Sequence, residues 1–130
     1  MQIREKEESY IESFEVLGDA SSQCDYLISL GLELPPNEHI RLPENRLAGC
    51  KTAIWICARI ENGRVYFDAD SNSLLVKGML LIMKDLYEGR EKHEAAEAPP
   101  RFFDAVSDDV IYPEIKQNGL KRCYEKLLEA

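Results

Sequence analysis

Four cysteines, Cys24, Cys50, Cys57 and Cys123, and two histidines, His39 and His93, are the side chains best suited to covalent or metal chemistry in this chain. The cysteines contain no CxxC pair, which counts against a zinc ribbon and a thioredoxin-type redox centre. A metal site built from all four has no recognisable spacing. Both histidines fall in polar stretches. A cysteine hydrolase needs a histidine beside Cys50 with a third group orienting it, and His39, eleven residues upstream in a flexible stretch, is a weak candidate. Cys50 stands apart. It follows Leu47-Ala48-Gly49, where a polar connection meets the apolar run Ala53-Ile54-Trp55-Ile56. A thiol at a turn beside a rigid element can be offered to another molecule as a nucleophile or a carrier. Gly49 leaves room for another backbone to approach, and Lys51 adds a modest electrostatic bias toward the thiolate.

The elements that must position Cys50 follow from periodicity. Residues 52–60 alternate, with Ile54, Ile56, Ala58 and Ile60 on one face, and residues 64–70 alternate again. Between them lies Asn62-Gly63, a pair suited to a two-residue hairpin turn because both tolerate positive φ. That turn predicts Glu61 opposite Arg64, Ile60 opposite Val65, Arg59 opposite Tyr66 and Ala58 opposite Phe67, with the opposite charges pairing at the turn. Cys57 falls on the face away from the isoleucines. Upstream, residues 4–17 read as an amphipathic helix stopped by Gly18. A second helix, capped by Ser21 or Ser22, carries Cys24, Leu27, Ile28 and Gly31 on one face and ends at Pro35-Pro36. Residues 35–50 form a long polar connection, of the kind that is usually functional or disordered. Downstream, Asp70-Ser71-Asn72-Ser73 caps an apolar helix from Leu74 to Tyr87. Its Gly78 costs roughly 1 kcal/mol against alanine, and close packing is the expected compensation. Residues 91–100 read as a flexible link, and Phe102, Phe103 and Val106 as an apolar cluster. A last amphipathic helix after Asn118-Gly119 carries Cys123. Core filling is the expected role of Cys24 and Cys123.

This order predicts an α+β fold: a small antiparallel sheet, with a tight hairpin over about 52–60 and 64–70, packed against several helices in one domain spanning 1–130. The 130 residues suffice for a core. Net charge is −8, with 16 basic against 24 acidic residues, which argues against nucleic acid. No stretch nears the roughly 18 apolar residues of a membrane span, and the charged N-terminus lacks a signal peptide's apolar segment. A cytoplasmic protein is expected.

These residues carry a resemblance. The segment Asp25-Tyr26-Leu27-Ile28 with Leu30-Gly31, then Glu44-Asn45 and Leu47-Ala48-Gly49-Cys50, Trp55, Asp70-Ser71, Leu75-Val76-Lys77-Gly78 and Asn118-Gly119-Leu120 resemble, in this order, the SufE-like sulfur acceptors of iron–sulfur cluster assembly. The resemblance covers residues 10 to the C-terminus. It implies the family's α+β fold, shared with related cluster scaffolds (SufE/IscU-like), and an acceptor role for Cys50. In that role Cys50 takes sulfur from the persulfide of a partner cysteine desulfurase (SufS-like), stimulates it, and passes sulfur to an iron–sulfur scaffold complex. Pyridoxal phosphate belongs to the partner; this chain needs no cofactor or metal of its own. Loop and partner-contact candidates are Glu44, Asn45, Gly49, Lys51, Asp70 and Lys116. The chain departs from the family pattern at Lys51 and Thr52, where glutamine and serine are common, and at Ile115-Lys116, where Ser-Arg is frequent. The alternative is a cluster scaffold or zinc-binding protein, which needs several ligands near Cys50. Cys57, seven residues along a strand, is roughly 20 Å of extended chain away.

Overall fold

The hairpin is the frame on which the site is built. In a computed structural model describing residues 2–130, β1 (Ile54–Glu61) pairs antiparallel with β2 (Arg64–Ser71). The register is the predicted one, from Glu61 opposite Arg64 to Ile54 opposite Ser71. Asn62 and Gly63 turn the chain at φ 52° and 77°. Ile54, Ile56, Val65, Phe67 and Ala69 face the core. The charges at the turn pair differently from the expectation: Glu61 accepts from Arg59 at 2.8 Å and Arg64 sits 3.8 Å from Glu91. All four are substantially exposed, so small geometric preferences decide the partner.

The sheet lies against α3 (Leu74–Tyr87), whose cap is Ser73, accepting from the Val76 N–H at 3.3 Å. Val76, Met79, Leu80, Ile82, Met83 and Leu86 are fully buried, which makes α3 the central helix. Gly78 has the expected compensation. A Cβ placed on it would collide with the Leu27 carbonyl of α2 (Ala20–Glu33), and one on Gly31 would strike the Leu74 carbonyl. The two helices therefore meet backbone to backbone through a reciprocal glycine pair. Asp19 caps α2, taking the Ser22 N–H at 2.7 Å, rather than Ser21 or Ser22. α1 (Ile3–Leu17) completes the first layer and ends where Gly18 adopts φ 74°.

Three stretches are more ordered than their composition suggests. Residues 35–50 contain two short 3₁₀ turns, Glu38–Ile40 and Pro43–Asn45. Residues 91–100 hold α4 (Lys92–Glu97), with Glu91 and Glu94 capping reciprocally. The link is ordered from outside: the Tyr124 hydroxyl donates to Ala95 O at 2.6 Å and the Tyr87 hydroxyl to Ala98 O at 2.7 Å. The C-terminal helix begins before Gly119, not after it. A π-helical stretch, Ile115–Leu120, runs straight into α5 (Lys121–Glu129), with the Lys121 N–H reaching back five residues to Lys116 O. Such wide turns concentrate at functional sites. Among the described residues no helix is long and apolar enough to cross a membrane.

Candidate functional site

Cys50 occupies the tip of a short loop with a firm base. Arg46 bridges to Trp55, and the Leu47 N–H donates to Ile54 O at 3.0 Å. The sheet ladder therefore runs back past β1, and residues 48–53 form a closed excursion with Cys50 near its middle. Gly49 turns the chain at φ 81°, a conformation that only glycine adopts freely. No atom of this chain lies within 4 Å of a Cβ built there, so within the chain it is the turn that requires glycine. Ala48, Gly49 and Lys51 are exposed, while Cys50 is turned inward and only 7% exposed.

The wall that shelters the thiol is the π-helical stretch. A Cβ on Gly119 would lie 3.1 Å from Cys50 Sγ and 2.9 Å from Ile54 Cδ1, so the sulfur rests on a bare Cα. Cys123, one turn further along the same helix, is fully buried, as expected. Burial pushes the Cys50 thiol above its ordinary value; the Thr52 N–H favours the thiolate, Glu114 opposes it and Arg46 supports it. Arg46, rather than Lys51, supplies the helpful cation. The Lys51 contribution is its backbone N–H, which donates to Glu114 Oε1 at 3.1 Å and ties the loop to the π-helical stretch.

The approach to the loop is pinned by a second cluster. Asp70 is fully buried opposite Trp55 in the hairpin. Its Oδ2 accepts from Arg41 Nε at 2.9 Å and the Asn37 N–H at 3.2 Å, and Oδ1 accepts from the Ser71 N–H at 2.9 Å. Burial alone would raise the Asp70 pKa, but these donors hold it below the usual carboxylate value. Arg41 also donates to Asn72 Oδ1 at 2.9 Å and lies 4.6 Å over the Trp55 ring. Asn45 Nδ2 donates to Ile40 O at 3.0 Å, fastening the second 3₁₀ turn to the first. Residues 37–47 are thereby held down.

Asn45, Gly49, Lys51 and Asp70 thus belong to the loop or its anchors. Glu44 is exposed on the second 3₁₀ turn, lining a groove with Cys57 and Lys126. Lys116 belongs to the π-helical stretch, but its buried ammonium donates to Val106 O and, at 2.9 Å, to Asp108. Cys57 is exposed and Cys24 half-buried, where core burial was expected. Cys24 lines a cavity of about 450 Å³ beside the loop, together with Thr52, Ser73, Val76, Tyr112 and Ile115. Among the described residues no three His, Cys, Asp or Glu side chains converge as metal ligands. Arg41, Glu114 and Gly119 as partners of the site escaped the residue-by-residue reading. Glu114 and Gly119 come from a segment distant in sequence, Arg41 lies in the same connection but acts through Asp70, and only the Asn118-Gly119 dipeptide stood out beforehand.

Fold and site together define a small α+β protein with one sheltered thiol at the tip of an anchored loop. The family described as "SufE: Fe-S metabolism associated domain" matches residues 8–129, and the chain belongs to it. A SufE-like protein of Rhizobium etli is 32% identical over 125 residues, covering 92% of this chain and 84% of its own. The sulfur acceptor protein CsdE of Escherichia coli is 30% identical over 108 residues, covering 80% and 73%. An uncharacterised SufE-like protein of Synechocystis is 26% identical over 118 residues, covering 90% and 74%. A solution structure of a hypothetical protein from Thermus thermophilus superposes with a TM-score of 0.70 at 20% identity, over 95% of this chain and 91% of the other. It shares the fold.

Proposed function

We propose that this protein is a sulfur acceptor: Cys50 takes sulfane sulfur from the persulfide of a partner cysteine desulfurase and delivers it to iron–sulfur cluster assembly. The observation that carries this reading is the position of Cys50, sheltered against Gly119 yet borne on a loop of residues 48–53 whose base is closed by the Leu47–Ile54 hydrogen bond. Membership of the SufE family and likeness to CsdE support it.

In the transfer, the Cys50 thiolate attacks the outer sulfur of the partner's R–S–SH. A new S–S bond forms on Cys50, the partner's S–S bond breaks, and the partner's cysteine leaves as the thiolate. Removing that sulfur stimulates the desulfurase, which alone holds pyridoxal phosphate; this chain contributes a thiol and no cofactor. Cys50 is three residues beyond Leu47, so the loop can carry it at most about 10 Å from the ladder without breaking a sheet bond. Withdrawn, the persulfide is shielded from further oxidation. The cytoplasm suits such a carrier, and all four cysteines here are free thiols.

The test is intact mass spectrometry after incubation with a cysteine desulfurase, pyridoxal phosphate and L-cysteine. The expected result is a reductant-sensitive gain of one sulfur, about 32 Da, mapped to Cys50 and absent from Cys50→Ser. Undiminished loading of the Cys50→Ser protein overturns the assignment.

A further inference from the structure

Cys123 is a nucleophilic side chain beside the site for which sulfur transfer has no use. Cys50 Sγ rests on Gly119, and Cys123 lies four residues further along the same helix, so the two positions share a face. Helical Cα–Cβ bonds lean toward the N-terminus, which tips the Cys123 side chain back over the turn bearing Gly119. With no Cβ on Gly119, no side chain at that position separates the two thiols. Their nearness is also felt electrostatically: burial first, and the Cys50 charge second, push the Cys123 thiol up to about 12. Cys123 is fully buried, so the environment that reaches it is the one Cys50 occupies when the loop is closed.

We propose that Cys50 and Cys123 form a reversible disulfide when a peroxide oxidises Cys50 on the extended loop and the loop then closes onto Cys123, locking it shut. The Cys50 thiolate attacks one oxygen of the peroxide; the O–O bond breaks and Cys50 becomes a sulfenic acid with loss of hydroxide. Cys123 Sγ then attacks the Cys50 sulfur. The S–O bond breaks, the Cys123 proton leaves with the hydroxyl as water, and the S–S bond forms. Two thiols are oxidised and one peroxide is reduced. Few Cys123 thiols are ionised at neutral pH, but a fixed neighbour reacts at an effective concentration that solution thiols cannot match. The bond spares Cys50 from irreversible sulfinic and sulfonic acids. Its consequence for sulfur loading rests on the acceptor reading above; the bond itself does not.

The experiment uses the full chain carrying Cys57→Ser, which removes the exposed thiol, treated with hydrogen peroxide and no desulfurase. The expected product is monomeric, about 2 Da lighter, yields a Cys50–Cys123 linked peptide, and reverts with dithiothreitol. Adding Cys123→Ala should replace that product by Cys50 sulfinic acid while leaving desulfurase-driven loading of the reduced protein intact. Should that variant not fold, the peptide map of the parent decides alone. Cys50 advancing to sulfinic acid in the parent with Cys123 still a thiol, or Cys50 linked to Cys24, overturns the proposal. Failure of the acceptor reading shows separately, as absent loading of the reduced parent.

Discussion

Replacing Gly119 by alanine sets the sheltered position of Cys50 against the packing of the core. The new methyl would sit 2.9 Å from Ile54 Cδ1 and 3.1 Å from Cys50 Sγ, both inside ordinary contact and both side-chain atoms. Overpacking of this kind costs about 1–3 kcal/mol, against roughly 1 kcal/mol gained from helix propensity. Global stability should therefore fall by about 2 kcal/mol at most. The strain is not shared evenly between conformations. Ile54 is locked in the ladder, whereas Cys50 rides on the excursion 48–53, so extension of the loop away from Gly119 relieves the sulfur contact at little cost elsewhere. If about 1.4 kcal/mol of the strain is confined to the sheltered state, the open fraction rises about tenfold. The assay is iodoacetamide labelling of the native protein in the Cys57→Ser background, with Cys24, half-buried on another helix, as the internal reference. Cys50 should label about tenfold faster in Gly119→Ala while Cys24 is unchanged. A variant that loses thermal stability yet labels at the parental rate would show that the core, not the loop, absorbs the methyl, and would refute the sheltering role of Gly119.

Other perturbations test neighbouring parts of the same construction. Gly78→Ala meets the Leu27 backbone rather than a side chain, so no rotamer relieves it; urea denaturation should show a loss above about 3 kcal/mol. Asp70→Asn keeps the shape but removes the charge that holds Arg41, and should cost about 1–3 kcal/mol. Because the folded Asp70 pKa is depressed, its stabilisation is present above the unfolded value of about 3.9 and lost as pH falls below it. Urea midpoints between pH 6 and pH 3 should consequently drop less for Asp70→Asn than for wild type. Glu114→Gln removes an anion that disfavours the Cys50 thiolate and weakens the acceptor for the Lys51 N–H. Its alkylation profile should move to lower pH, and a profile superposing on wild type would refute the electrostatic role.

What was legible in the sequence was what local chemistry decides. Asn62-Gly63 and the alternation around it dictate a register in which every apolar pair falls on one face, and the structure reproduces it residue by residue. Gly78 in an apolar helix announced a close approach, because nothing else repays its entropy. Contacts made by distant segments were not legible. Residues 91–100 read as a link since their buried face is only Ala95 and Ala98; two tyrosine hydroxyls from other helices order it. Asp70 read equally well as a turn or cap residue, for nothing in its own neighbourhood foretells Arg41 arriving from the preceding loop. The inward turn of Cys50 depends on Gly119, whose bare Cα matters only once the π-helical stretch has been laid against the loop.

The division of labour along residues 37–53 explains why a thiol can be both hidden and deliverable. The first part is fixed by charge: Asp70, Arg41 and Asn45 hold the two 3₁₀ turns, and any excursion there would strip a fully buried carboxylate of its donors. Breaking such a buried arrangement costs several kcal/mol. The second part, beyond Leu47, is tied at its downstream end by the Ser71 hydroxyl, which donates to Ala53 O at 2.7 Å. Around Cys50 its contacts are of a different scale: one N–H to the partly exposed Glu114 and the packing of one sulfur on Gly119. A hydrogen bond of that kind contributes about 1–1.5 kcal/mol, which a docking partner can offset with a single contact of its own. Motion is therefore confined to the residues around Cys50. The energetic step between 47 and 48, rather than general looseness of the connection, makes the loop a short arm on a rigid mount.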